Sequence, residues 1–213
     1  MFATSPWTSE ELEILHGLDK PWKIQELLDS VPYATDQQTR SPRRVLRERC
    51  AHCTEGAFLA AAALRLHGQP PLVLDLRAEN DDDHVVAIYR VNGLIGAVAK
   101  SNFSGLRFRE PIYRSYRELA LSYFEVYFNT LGEKSLRSYS RPLDLSALDS
   151  AGWMTTEEDL GWIGERLDAM PHYRLVGEEM VQCLRPVDKR LYDAGMLGAD
   201  PAGLYRARPR VAR

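Results

Sequence analysis

Cys50-Ala51-His52-Cys53 is the most chemically suggestive stretch of this 213-residue chain, and it runs directly into the alanine-rich segment "TEGAFLAAAALRLHG". Three chemistries use such residues. A C-x-x-C at a helix start can be a redox couple, because a helix N-terminus lowers a thiol pKa and a histidine between the cysteines lowers it further. That reading needs a strand immediately before the motif in a βαβ unit, whereas the preceding segment is "SPRRVLRER", charged and helix-capped. A structural zinc site needs four ligands. Cys50, His52 and Cys53 offer some of them, but no second C-x-x-C or H-x-x-x-H follows, and Cys183 or His84 would have to join from far away. The third chemistry needs one thiol only. A thiolate at the positive end of a helix, with an imidazole beside it, attacks a carbonyl. The imidazole needs an acceptor on its far nitrogen to hold its tautomer. His84 stands at the start of a strand after the acidic run Asp81-Asp82-Asp83 and can supply that imidazole. A small buried cysteine and a solvated strand-end histidine would look the same from these residues alone. The acidic run itself is no calcium loop, since its carboxylates are adjacent and not alternating.

The elements that must position these groups follow from local signals. Thr8 and Glu11 form a capping box for a short helix ending before Gly17, and Pro21 opens a second helix that stops before Pro32. Ser41-Pro42 caps a third. From Thr54 to His67 the chain is apolar on every side, the pattern of a buried helix, with Gly68 as its C-terminal cap. Its N-terminus therefore falls at or just after Cys53. "PLVLDL", "HVVAIYRV" and "LIGAVAKSN" read as strands, the last two joined by the hairpin signal Asn92-Gly93. "SYRELALSYFEVYFN" reads as an amphipathic helix, "RSYSRPLDLSAL" as irregular, and the remainder as short helices broken by Gly177 and Pro186. Helices, one buried helix, an antiparallel sheet and more helices make an α+β chain. Its expected parts are an N-terminal helical segment over 1–49, a core over 50–130 and a C-terminal helical extension over 131–213, together one compact domain.

Composition narrows the classes. The chain is 45% hydrophobic and 27% charged with a formal net charge of -3, so nothing electrostatic favours nucleic acid as partner. The basic stretch with Arg206, Arg208, Arg210 and Arg213 reads as a frayed, solvated end. No basic-then-apolar leader opens the sequence and no apolar run reaches the ~20 residues that span a bilayer. Three cysteines are too few for a disulfide scaffold. The expectation is a cytoplasmic protein without membrane association. Tyr113, Tyr116, Tyr123, Phe124, Tyr127 and Phe128 read as packing against the sheet, Arg107, Arg109 and Arg114 as a solvated strand edge, Trp153 and Trp162 as anchors of the last helices, and Cys183 as buried.

"CTEGAFLAAAALRLHGQPPLVLDL" followed by "DHVVAIYRVNG" resembles the core of the transglutaminase-like superfamily of papain-like cysteine enzymes. There a cysteine opens a buried helix, a leucine-arginine near its end precedes a glycine and a proline-containing turn into a strand, and a histidine starts the next strand. Cys53, Leu64-Arg65, Gly68, Pro70 and His84 take those positions, and the resemblance covers residues 50 to about 102. It implies Cys53 as nucleophile, with Cys50 a neighbour, and His84 as general base and acid. The family's third group, an aspartate after a tryptophan on the following strand, has no counterpart in "GLIGAVAKSNFSG"; Asn102 is the substitute that papain-like chemistry allows. A two-residue turn at Asn92-Gly93 sets Ser101 opposite His84, and a three-residue turn sets Asn102 there. Asp75, Asp82 and Asp83 are outside candidates. What the resemblance implies is acyl transfer or hydrolysis on a carboxamide or peptide bond through a thioester, on a protein, peptide or small-amide substrate, with neither metal nor organic cofactor. The alternatives are a non-catalytic binding module on the same fold and a thiol-redox protein using Cys50 and Cys53.

Overall fold

The computed structural model describes residues 5–208. Three short helices come first: α1 (Ser9–Gly17), α2 (Pro21–Asp29) and α3 (Pro42–Glu48). Thr8 and Glu11 cap α1 reciprocally, each side chain accepting the other's backbone N–H at 3.2 and 2.8 Å, which satisfies two of the donors that a helix start leaves open. Next comes α4 (Cys53–Leu66), whose residues from Glu55 to Leu64 are all buried, so it has no solvent face to make polar. Three strands follow, β1 (Leu72–Ala78), β2 (His84–Val91) and β3 (Leu94–Val98), then β4 (Arg109–Tyr113) and α5 (Tyr116–Phe124). The rest of the described chain forms β5 (Leu136–Ser140), β6 (Leu143–Asp144), α6 (Gly161–Asp168), β7 (His172–Arg174), α7 (Glu178–Val181) and α8 (Lys189–Met196).

Among the described residues the strands form one seven-stranded sheet in the order β4-β3-β2-β1-β5-β7, with β6 also on β1, and every pairing is antiparallel. The β2–β3 hairpin turns in two residues, Asn92 at φ 50° and Gly93 at φ 81°, a conformation that matches strand twist and needs a residue tolerant of positive φ. Its ladder ends at Ala87↔Val98, so His84 pairs only with Leu76 of β1. Both faces of the sheet are covered. On one face Val73, Val85, Ala87 and Tyr89 pack with α4 and Trp153. On the other, Leu74, Leu76, Val86 and Ile88 pack with Leu119, Tyr123 and Tyr127. That double burial is why these strands read as nearly continuous apolar runs. Burial of Phe58 and Leu59 on α4 contributes about 2 kcal/mol apiece.

The last third departs from the expected helical extension. "RSYSRPLDLSAL", expected to be irregular, forms β5, β6 and a 3-10 helix over Leu145–Ala151. β5 carries only Leu136 and Ser140 fully buried, so its strand character comes from pairing with β1, where Leu76 faces Tyr139, and not from its own propensity. Residues 131–213 thus contribute three strands, β5 beside the central β1. The helix expected through Asn129 stops at Phe124, yet Tyr127 and Phe128 beyond it are buried. Trp153 is an anchor, edge-on to Phe58 at 6.5 Å, but Trp162 is 39% exposed and Cys183 is exposed, not buried. Arg206 and Arg208 are exposed; Arg210 and Arg213 lie outside the described residues. No helix among the described residues is long and apolar enough to cross a membrane.

Candidate active site

Cys53 is the first residue of α4, and the turn before it is unusually well tied. His52 is the N-cap: its Nδ1 accepts the Thr54 backbone N–H at 3.2 Å while Nε2–H donates to the Gln38 carbonyl at 2.9 Å. Glu55 closes the box from the other side, accepting His52 N–H at 2.7 Å. Fully buried, Glu55 is neutralised by Arg40, whose backbone N–H and guanidinium donate to it at 2.7 and 3.0 Å. Those bonds hold residues 52 to 55 so that the thiol sits at the positive end of α4.

A second element brings a phenol to the same place. Tyr33 bridges Ala51 in a short parallel pairing, with Ala34 N–H donating to Ala51 O at 3.1 Å and Ala51 N–H to Pro32 O at 3.3 Å. The Tyr33 hydroxyl consequently lies against the backbone amide and thiol of Cys53. Burial, then the negative charges of Cys53 and Asp82, raise the Tyr33 pKa, so it stays a neutral donor.

His84 comes from the sheet. It is 4% exposed, edge-on to Tyr123 and Tyr127 at 6.4 Å each, and its Nε2–H donates to the Leu106 carbonyl at 2.7 Å. A carbonyl only accepts, so the proton is fixed on Nε2 and Nδ1 is left for the thiol. Cys53 Sγ also has long contacts, 3.8 Å to Thr54 Oγ1 and 3.9 Å to the Asp83 carbonyl. Burial works against ionising Cys53, but hydrogen bonding and charge from His52 and His84 outweigh it and hold the thiol well below its ordinary pKa. In return, and against burial, the Cys53 thiolate and Glu55 raise His52 to about 9. His52 and His84 thus both bear on the thiol, His52 from the helix cap and His84 from the sheet.

The thiol opens onto a cleft of about 460 Å³ bordered by Tyr33, His52, Asp82, Gly203 and Tyr205. A narrower recess of about 30 Å³ behind it brings Cys53, His84 and Asn102 to one small space. Burial raises Asp82 and pushes Asp81 and Asp83 up to about 6.

Cys53 and His84 are thus brought together, but the third group differs from the expectation. Asn102 does not orient His84: its Oδ1 accepts the Asp200 N–H at 2.8 Å and its Nδ2 donates to the Asp200 carbonyl at 2.9 Å. The Leu106 carbonyl already occupies His84 Nε2. The two-residue turn is the one that would align Ser101 with His84, yet the ladder ends before that pair, and Ser101 Oγ accepts Phe103 N–H at 3.0 Å. Asp75 pairs with His172 at 2.8 Å, and Asp83 Oδ1 accepts Ala78 N–H at 2.7 Å. Cys50 is half-buried and its thiol is pushed up by burial, so the two thiols of the C-x-x-C shift in opposite directions. Among the described residues, the side chains whose ligand atoms converge as a metal site would require are Asp75, Asp83 and Asp168, not the Cys-His cluster. Tyr33, His52 as cap and the Leu106 carbonyl were missed from sequence. Of these only His52 left a signal, the capping-box spacing to Glu55. A scan against protein-family models finds no match for the chain, and a search of the curated proteins finds none either.

Proposed function

We propose that the chain is a cysteine-dependent acyl transferase or hydrolase acting on a carboxamide or peptide carbonyl, with a transglutaminase-like, papain-type arrangement of thiol-bearing helix on imidazole-bearing sheet. The observation that carries this reading is the pairing of Cys53, at the N-terminus of a buried helix, with an imidazole whose far nitrogen is locked on the Leu106 carbonyl. In this reading the Cys53 thiolate attacks the carbonyl carbon, and the Cys53 backbone N–H and Tyr33 hydroxyl receive the developing oxyanion. His84, protonated as the thiol ionises, passes that proton from Nδ1 to the leaving amine, which departs as the thioester forms. Water or an acceptor amine, deprotonated by His84, then attacks the thioester and restores the thiol. The Leu106 carbonyl takes the part of the side-chain carbonyl expected from Asn102, holding the ring in one tautomer and orientation. The chemistry needs no metal or organic cofactor, and it suits a reducing compartment.

The test is the rate of iodoacetamide alkylation against pH, followed separately for each cysteine. Cys53 is expected to titrate well below the ~8.5 of a free thiol. Its midpoint should rise in His84→Ala and stay put in Cys50→Ser. A Cys53 that behaves as an ordinary thiol would leave only a binding module on this fold, and an effect that follows Cys50 would point to a thiol couple.

A further inference from the structure

The cleft over Cys53 is crossed by a later part of the same chain, and the way that segment is held resembles recognition of a peptide. Two asparagines grip it through its backbone. Asn102 accepts the N–H and donates to the C=O of Asp200, at 2.8 and 2.9 Å. Asn80 does the same for Arg208, both bonds at 2.9 Å. A side-chain amide in this arrangement offers one donor and one acceptor, as a neighbouring strand would, so it reads a polypeptide backbone whatever the side chains are. Between the two grips Thr130 Oγ1 donates to the Tyr205 carbonyl at 3.2 Å. Asn80 and Asn102 are not placed at random: one lies in the loop that leads to His84, the other precedes the turn that carries the Leu106 carbonyl.

The point of closest approach is Gly203, which borders the same small recess as Cys53 and His84. A Cβ on Gly203 would stand 2.8 Å from a Tyr33 ring carbon and 3.1 Å from Asn102 Nδ2. Tyr33 is tied beside Cys53 by the backbone bridge to Ala51, and Asn102 is committed to Asp200, so a side chain at 203 would have to displace one of them. That position favours a residue with no side chain.

We infer that the Cys53 cleft is a polypeptide-binding site whose specificity is set by a glycine subsite between Tyr33 and Asn102, and that the segment Asp200–Arg208 fills it as an intramolecular occupant. This rests on the acyl-transfer reading only for what happens to a bound peptide; the binding itself stands apart from it. A ligand from outside must displace the segment, and would carry glycine at the residue beside the thiol with free backbone on both sides.

The experiment uses the full-length chain and alkylation of Cys53 by iodoacetamide, with the exposed Cys183 in the same sample as reference. Two variants release the segment by different means, the double Asn80→Ala/Asn102→Ala and the single Gly203→Val, and circular dichroism checks that each is folded. Both should alkylate at Cys53 at least ~10-fold faster than wild type at a pH where the thiol is ionised, with Cys183 unchanged, because protection by a bound occupant scales with its occupancy. A synthetic peptide of residues 199–208 should restore protection to Gly203→Val, which keeps both asparagine grips and both walls of the subsite, and the same peptide carrying Gly203→Val should not. Unchanged Cys53 rates in folded variants would overturn the inference, and equal protection by both peptides would overturn the glycine subsite. The pH midpoint separates this outcome from the acyl-transfer reading. A depressed midpoint with unchanged rates sinks the occupant and keeps the nucleophile; an ordinary midpoint with restored protection does the reverse.

Discussion

Two histidines in this molecule are built to one plan and put to different ends. His84 on β2 gives Nε2–H to the Leu106 carbonyl at 2.7 Å and turns its other nitrogen to the Cys53 thiol. His172 on β7 bonds the Met170 carbonyl through Nδ1 at 2.7 Å and turns its other nitrogen to the Asp75 carboxylate at 2.8 Å. In each case a backbone carbonyl fixes the tautomer and an acid faces the remaining nitrogen. The surroundings decide the rest. Asp75 is 1% exposed and its partner 6%, so that pair is sealed and can only stabilise. Cys53 faces a cleft of about 460 Å³, so its charge can meet a second molecule. An oriented imidazole beside an acid is therefore not by itself a catalytic sign; access to the acid is.

The sealed pair should show the largest effect on stability. Asp75→Ala leaves a buried imidazolium without its counter-charge, and the expected cost is about 4 kcal/mol in urea unfolding, with the Cys53 alkylation midpoint unmoved. The milder Asp75→Asn adds a sign test. Hydrogen bonding to Asp75, against burial, raises His172, so its stabilisation is fully present below the unfolded value of about 6.5 and fades as pH rises through the folded value. The Tm gap between wild type and Asp75→Asn should narrow from pH 6 to pH 9. A gap that widened would mean that His172 is neutral in the fold and that the likeness between the two sites ends at geometry.

At the open site the matching change is His84→Ala. Loss of its charge and hydrogen bond should raise the Cys53 midpoint toward that of a free thiol and slow alkylation at every pH below the new midpoint. Stability should change far less than in Asp75→Ala. If the two variants exchanged signatures, the division into sealed and open pairs would be wrong.

His52 sharpens the comparison, because it has no equivalent beside Asp75. It is both helix cap and second imidazole, and the two roles can be separated. His52→Asn keeps a strong N-cap and removes the ring, so unfolding free energy should stay within about 0.5 kcal/mol of wild type. The Cys53 midpoint should rise, as it does on losing His84, because hydrogen bonding from both imidazoles holds the thiol down. His52→Ala should add a stability loss of about 1 kcal/mol, the cost of an open helix start.

The two sites also differ in how much of each was legible in the sequence. Cys53 and His84 could be read because local signals placed their elements: an apolar run with no polar stripe, a terminal Gly68, and Asn92-Gly93 joining two β-branched stretches. What holds His84 could not be read, since every residue offers a backbone carbonyl and the choice of Leu106 is made by the path of the chain after β3. Asn102 drew attention as a side chain of the right type at nearly the right register. Its partner Asp200 lies 98 residues on, beyond the reach of local pattern. The sealed pair was illegible for a related reason. β5 and β7 are short and polar and become strands only by pairing outward from β1, so nothing near His172 announces that it lies on a sheet beside Asp75.

Asp83 stands between the two sites and allows a last, smaller test. Its backbone carbonyl is 3.9 Å from Cys53 Sγ, while its carboxylate converges with those of Asp75 and Asp168. Burial first, then the charge of Asp75, push that carboxyl up to about 6 from an ordinary 3.8. A raised acid stabilises the fold in its protonated form, fully below 3.8, and that contribution is lost as pH rises through about 6. Asp83→Asn mimics the protonated form and retains the oxygen that accepts the Ala78 N–H. It gives up the 3.7 Å pairing with Arg77, which is half-exposed and weak. The variant should be level with wild type at pH 3.5 and more stable at pH 8 by about 1 kcal/mol, after allowance for solvent screening of a partly exposed group. Because the neutralised carboxylate belongs to the sealed side, His172 should lose part of its upward shift while the Cys53 midpoint stays where it was. Movement of the Cys53 midpoint by a comparable amount would show that the acidic loop couples the two histidines electrostatically, and that the sealed pair takes part in setting the thiol's charge.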